Sequence, residues 1–123
     1  MKVLMICDDQ KFFEEFIENL DTKDKQMLVA SNGSDGFNIF SHESKDIRII
    51  IIDEDIPDIT ISHLVRLMYH TDFKVLNKAK IFIIGREQYR DDLSAWITEE
   101  LCYKNKPDAA KNLAEMVKKL HRG

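Results

Sequence analysis

Ile47-Arg48-Ile49-Ile50-Ile51-Ile52-Asp53-Glu54-Asp55-Ile56-Pro57 is the stretch that decides the fold. Its first six residues are five isoleucines and one arginine. Branching at Cβ stiffens each side chain and favours extended backbone. The apolar residues form a run instead of alternating with polar ones, so the strand is expected to be buried on both faces. Parallel sheets covered by helices on each side produce that pattern. The run stops at three acids, Asp53, Glu54 and Asp55, and Pro57 closes the unit.

Working outward, the period of the apolar residues switches back and forth. Val3–Cys7, Met27–Ala30 and Ile81–Ile84 are short apolar runs of strand length, and Leu101–Tyr103 reads as a last strand. Between them, Phe12, Phe13, Phe16, Ile17 and Leu20 recur at helical spacing, as do Ile61, Leu64, Leu67 and Met68. Asn32-Gly33 and Gly36 read as punctuation, with a helix beginning at Phe37 and Phe40. Leu93, Trp96, Ile97 and Glu100 suggest a weaker helix. Pro107 opens a final one carrying Ala110, Leu113, Val117 and Leu120. Strands alternating with helices predict a doubly wound α/β domain with five strands and five helices.

At 123 residues there is room for one core, so residues 1–123 are expected to form a single domain. Hydrophobic residues at 44% and charged residues at 33% suit a soluble globular chain. A net charge of −4, from 22 acidic and 18 basic residues, leaves no basic stripe for nucleic acid or anionic lipid. Cys7 and Cys102 lie far apart inside apolar runs without metal-ligand spacing, as expected of two buried reduced thiols in a cytoplasmic protein. The opening MKVLMIC is too short for a secretory signal, and no apolar stretch is long enough to cross a membrane.

In an open parallel sheet, ligands bind beyond the carboxyl ends of the strands, where the strand order reverses. Asp8 and Asp9 follow the first strand, Asp53 the third, and Lys106-Pro107 the fifth. Taken singly, each acid has a plain role as a helix cap or loop residue, as Glu54, Asp55 and Asp58 do, and Lys106 as a surface cation. Taken together, they gather at one end of one sheet. Crowded carboxylates disfavour each other's ionisation unless a cation intervenes, and an oxygen-only donor set suits Mg²⁺. A carboxylate beside that cation can attack phosphorus to give an acyl phosphate, with a lysine opposite to neutralise its oxygens.

The segments KVLMICDD, IIIIDEDIP and YKNKP, together with VASNGSDGF, resemble the receiver domain of response regulators over essentially the whole chain. The acid pair, the Asp-x-x-x-Pro and the Lys-Pro occur in the family's order. This resemblance implies a flavodoxin-like sheet of order 2-1-3-4-5. It implies that Asp53 is the phosphoacceptor and that Asp8, Asp9, Asp53 and the backbone carbonyl of Asp55 bind Mg²⁺. Lys106 would contact the acyl phosphate, and Tyr103 would be the aromatic residue whose rotamer reports activation. It implies a histidine kinase or phosphotransfer protein as donor, an unidentified downstream protein, and room for a homodimer through the last helix–strand–helix face. The chemistry would be self-phosphorylation and dephosphorylation, with no other enzymatic activity.

The departures are specific. The family ends its fourth strand with Thr or Ser, whose hydroxyl bonds the phosphoryl group; here IFIIG places Gly85 there. Arg86 follows, offering a guanidinium to cover the pocket or contact phosphate. The expected switch is therefore atypical. One alternative is a pseudo-receiver, an interaction module that works without phosphate. A second is a haloacid-dehalogenase-type phosphohydrolase with Asp53 as nucleophile and Asp55 as acid/base. Its Asp-x-Asp normally lies on the first strand of a longer chain. No Gly-x-Gly-x-x-Gly follows the first strand, which disfavours a dinucleotide site. No effector segment follows Leu120, so a stand-alone or an excised receiver is expected.

Overall fold

Strands and helices alternate along the chain in the computed structural model, which describes residues 2–20, 26–85, 99–102 and 106–122. Side chains of residues 44, 99–109 and 120–122 lie outside that description. The elements are β1 (Lys2–Ile6), α1 (Gln10–Leu20), β2 (Gln26–Ala30), α2 (Gly33–Glu43) and β3 (Ile47–Asp53). After them come α3 (Ile61–Thr71), α4 (Phe73–Lys78), β4 (Lys80–Gly85), β5 (Glu99–Cys102) and α5 (Lys106–Arg122). All strand pairs are parallel and the order is β2-β1-β3-β4, with β5 beside β4. The order reverses between β1 and β3.

Two apolar layers explain the isoleucine run. Leu4, Ile6, Ile50, Ile52, Ile81 and Ile83 face Phe40 of α2, Ile61, Leu64, Val65 and Met68 of α3, and Leu76 of α4. Val3, Met5, Ile49, Ile51, Phe82 and Ile84 face Phe12, Phe16 and Leu20 of α1 and Ala110, Leu113, Ala114 and Val117 of α5. Every second residue of β3 serves one layer, so each isoleucine from Ile49 to Ile52 is essentially inaccessible to solvent. Arg48 is the exception. The register shifts from Lys2↔Ile47 to Val3↔Ile49, so Arg48 is the extra residue of a bulge and stands exposed. Cutting one of these isoleucines back to alanine would cost about 2–5 kcal/mol.

Several boundaries differ from the sequence-based expectation. Helix α2 starts at Gly33, four residues before Phe37. Both glycines are packing positions inside the helix. A Cβ on Gly36 would fall 2.5 Å from Ile6 Cδ1, and one on Gly33 would overlap the Ile59 side chain. Helix α4 was not expected. Asp72 both ends α3 and caps α4, its carboxylate accepting from the Val75 N–H at 3.2 Å. Glu100, expected in a helix, lies in β5, which starts at Glu99 and ends at Cys102. Leu93, Trp96, Ile97 and Tyr103 lie outside the described residues.

The start of α2 is tied to the loop after β3. Asn32 Oδ1 accepts from the Asp35 N–H at 2.8 Å, and Asn32 Nδ2 donates to Asp35 Oδ2 at 3.0 Å. Asp58 accepts from the two preceding amides, Gly33 N–H at 2.8 Å and Ser34 N–H at 2.9 Å. The otherwise unpaired donors of the first turn are thus met from within the helix and from a distant loop. The Ser34 amide, then that of Gly33, holds the Asp58 carboxyl below its ordinary value of 3.8. Its stabilising effect is therefore complete above that value and is lost as pH falls through the lower, folded value. Asp58→Ala is expected to lower the melting temperature at neutral pH. The gap from wild type should shrink steadily below pH 4; a gap independent of pH would show that the carboxylate charge contributes nothing.

Candidate functional site at the acid-lined end of the sheet

Asp53 is the last residue of β3 and is only 3% exposed, buried among apolar neighbours. A carboxylate there loses hydration and must be repaid by hydrogen bonds. Oδ1 accepts the Asp55 N–H at 3.0 Å, and Oδ2 accepts the Cys7 thiol at 3.3 Å. Both follow from the strand register. Ile6 pairs with Ile52, which brings the residues after β1 opposite those ending β3. Among the described residues, no buried side-chain nitrogen or oxygen lacks a partner.

The acid pair sits on the same end but is spent differently. Asp8 is exposed. Asp9 caps α1, its Oδ1 accepting the Phe12 N–H at 3.0 Å while its carbonyl accepts Phe13 N–H at 3.1 Å. The plain reading of Asp9 as a cap is thus correct. The structure brings Asp8, Asp9 and Asp53 to neighbouring strand ends without folding them into a cage. Among the described residues, no group of three or more His, Cys, Asp and Glu side chains is close enough together to hold a metal ion. The donor chemistry still fits Mg²⁺: carboxylate oxygens and a backbone carbonyl, with a buried anion as one member.

Gly85 ends β4 and lies beside Glu54. The Glu54 N–H donates to the Ile84 carbonyl at 2.8 Å, extending the β3–β4 ladder by one residue. A Cβ on Gly85 would overlap the Glu54 carboxylate and come within 3.0 Å of Glu54 Cβ. The glycine is what lets the Glu54 side chain cross the end of β4. A groove of about 490 Å³ is lined by Glu54, Ile56, Pro57, Asp58 and Thr60 among others, and Asp53 is not part of its lining. Lys106 is the first residue of α5, with its side chain outside the description. Arg86 and Tyr103 lie outside the described residues.

In the sequence Cys7 reads as a buried thiol and Glu54 as a loop acid. Strand parity gave the signal for Cys7. Val3, Met5 and Cys7 share one face with Ile49 and Ile51, and Asp53 continues the second row. For Glu54 no local signal existed, because its partner surface is a glycine on another strand. The Glu54–Gly85 contact makes a clear expectation. Gly85→Thr alone should destabilise by no more than about 1 kcal/mol, since the Glu54 carboxylate it meets is the movable end of a half-exposed side chain, and adding Glu54→Ala should recover most of that loss. Denaturant unfolding of the four proteins in this double-mutant cycle measures it; additive effects would show that the two positions do not compete for space.

A scan against protein-family models finds no match, and no curated protein matches in sequence. Solved structures do match. A response regulator receiver domain protein from Clostridium thermocellum is 22% identical, with 97% of each chain covered and a TM-score of 0.65. The receiver domain of the hybrid histidine kinase CckA is 20% identical, with 97% of each chain covered and a TM-score of 0.71. The BeF₃-activated DrrB receiver domain is 16% identical, covering 99% of this chain and 97% of its own, with a TM-score of 0.66. At such identities the likeness speaks for architecture: this chain has the α/β fold of CheY-like response-regulator receiver domains.

Proposed function

We propose that residues 1–123 form a single cytoplasmic receiver domain of two-component signalling that accepts a phosphoryl group on Asp53. The donor would be a histidine kinase or a phosphotransfer protein. One observation carries this: a carboxylate 3% exposed closes the central strand of a parallel sheet, at the switch point, with the acid pair on the adjoining strand end. A buried charge at that place is costly for stability and is well explained by chemistry. No helix among the described residues is long and apolar enough to cross a membrane.

In the transfer, one Asp53 oxygen forms a bond to phosphorus as the phosphorus–nitrogen bond of a phosphohistidine breaks. The imidazole keeps the electron pair and takes a proton from water, leaving an acyl phosphate on Asp53. Asp8, Asp9, Asp53 and the Asp55 carbonyl would hold Mg²⁺, which when bound supplies positive charge against the phosphoryl oxygens. Asp9 caps α1 through Oδ1, so its other oxygen is the one that would face the cation. Lys106, opening α5 after β5, would bring its ammonium to the phosphoryl oxygens. The switch is atypical. Position 85 carries no hydroxyl, and a Cβ there would meet the Glu54 carboxylate.

The same contact favours a second reading, a pseudo-receiver that binds a protein partner without phosphate. Incubation with acetyl phosphate and Mg²⁺ separates the two. The receiver reading expects one base-labile phosphoryl adduct, located at Asp53 by peptide mass spectrometry and abolished in Asp53→Asn. No adduct, from this donor or from histidine kinases, would leave the pseudo-receiver. Steady turnover of phosphate esters would instead support a hydrolase.

A further inference from the structure

We propose that Cys7 is a positioning residue for the phosphoacceptor, holding the Asp53 carboxylate in one orientation and tying it to the acid pair. The inference rests on Asp53 being the phosphoryl acceptor. The sulfur does two things at once. Its one S–H has two acceptors in reach, Asp53 Oδ2 at 3.3 Å and the Asp9 carbonyl at 3.8 Å, of which the carboxylate is the nearer and the charged one. The sulfur also accepts the Asp9 N–H at 3.4 Å. A single side chain thus bridges the turn carrying Asp8 and Asp9 to the carboxylate on the next strand.

The Asp55 N–H reaches Oδ1 from two residues along the same chain, a local contact that ties the carboxylate to its own turn. The second anchor comes from across the β1–β3 pair and so sets the plane relative to the sheet. Each carboxylate oxygen accepts more than one hydrogen bond, so an oxygen held by Cys7 keeps a lone pair for phosphorus. A thiol is a weak donor, which orients the anion while withdrawing little of its charge.

The position also demands this chemistry. Cys7 is 5% exposed and ends the apolar row of Val3 and Met5 against α1, so a large or charged group would not fit. Its own amide is spent on the Ala30 carbonyl at 2.9 Å. Only a small side chain that both donates and accepts can make the bridge. Serine keeps both functions. Valine keeps the volume and loses both.

The test compares wild type, Cys7→Val and Cys7→Ser under acetyl phosphate and saturating Mg²⁺, with thermal melts and Mg²⁺ titrations of all three. Cys7→Val is expected to fold and to keep its donor half-saturation. Its maximal phosphorylation rate should fall about five-fold, the worth of one ordinary hydrogen bond. Cys7→Ser should return to within about two-fold of wild type. A wild-type rate in Cys7→Val overturns the proposal. So does a Cys7→Ser as slow as Cys7→Val, which would show that packing and not hydrogen bonding matters. Should Cys7→Val unfold, the Cys7→Ser comparison decides alone, a slow rate in the folded protein counting against. A wild type that takes up no phosphoryl group fails at the earlier step and overturns both readings.

Discussion

A carboxylate buried at the end of an otherwise apolar strand is the constraint on which the rest of this structure depends. Residues Ile49 to Ile52 stabilise β3 by being shut away from water on both faces, and Asp53 continues the same strand into the same interior. The Asp55 amide and the Cys7 thiol meet its two oxygens and offset part of the hydration lost there. Those partners come from a tight turn and from a neighbouring strand. Register, turn and site are therefore one arrangement. A slip of one residue between β1 and β3 would turn Cys7 away from Asp53 and strand an anion among isoleucines.

The opposite end of β3 shows how the register is kept. Arg48 interrupts the isoleucine run, and the chain accommodates it by a bulge that sends it to solvent. The alternation of the remaining residues then serves both layers without a misplaced side chain. At the functional end the loop leaving β3 is fixed again, by the reach of Asp58 to the first amides of α2. The segment between Asp53 and α3 is thus held at both ends while Glu54 and Asp55 remain at the surface of the site.

Much of this was legible because burial on two faces writes itself into composition. The isoleucine run, the apolar run after Lys2 and the run in β4 could each be read without a partner. Asp53 and the acid pair were legible for a related reason, since strand ends in such a sheet point to one place. What escaped depended in part on contacts between distant residues and in part on elements too short or too polar to show a period. The glycines at 33 and 36 looked like turn signals, yet they are small because Ile59 and Ile6 press on them. The pairing of Asn32 with Asp35 was a readable cap that marked the true start of α2. Helix α4 is six residues long, too short for a period to declare itself. Strand β5 opens with two glutamates, which an apolar-run criterion passes over. Gly85 reads as a departure in the sequence, but the Glu54 carboxylate beside it belongs to the turn after β3 and is visible only in the fold.

Whether the buried carboxylate is the place where a phosphoryl group lands can be asked without any kinase. Beryllofluoride forms from beryllium and fluoride and mimics a phosphoryl group on a carboxylate, so ¹⁹F NMR of the protein with these salts and Mg²⁺ is the most direct measurement. A bound fluoride signal that requires Mg²⁺ and disappears in Asp53→Asn is the expected result. A spectrum with free species only, or a bound signal that survives Asp53→Asn, would contradict the assignment of Asp53.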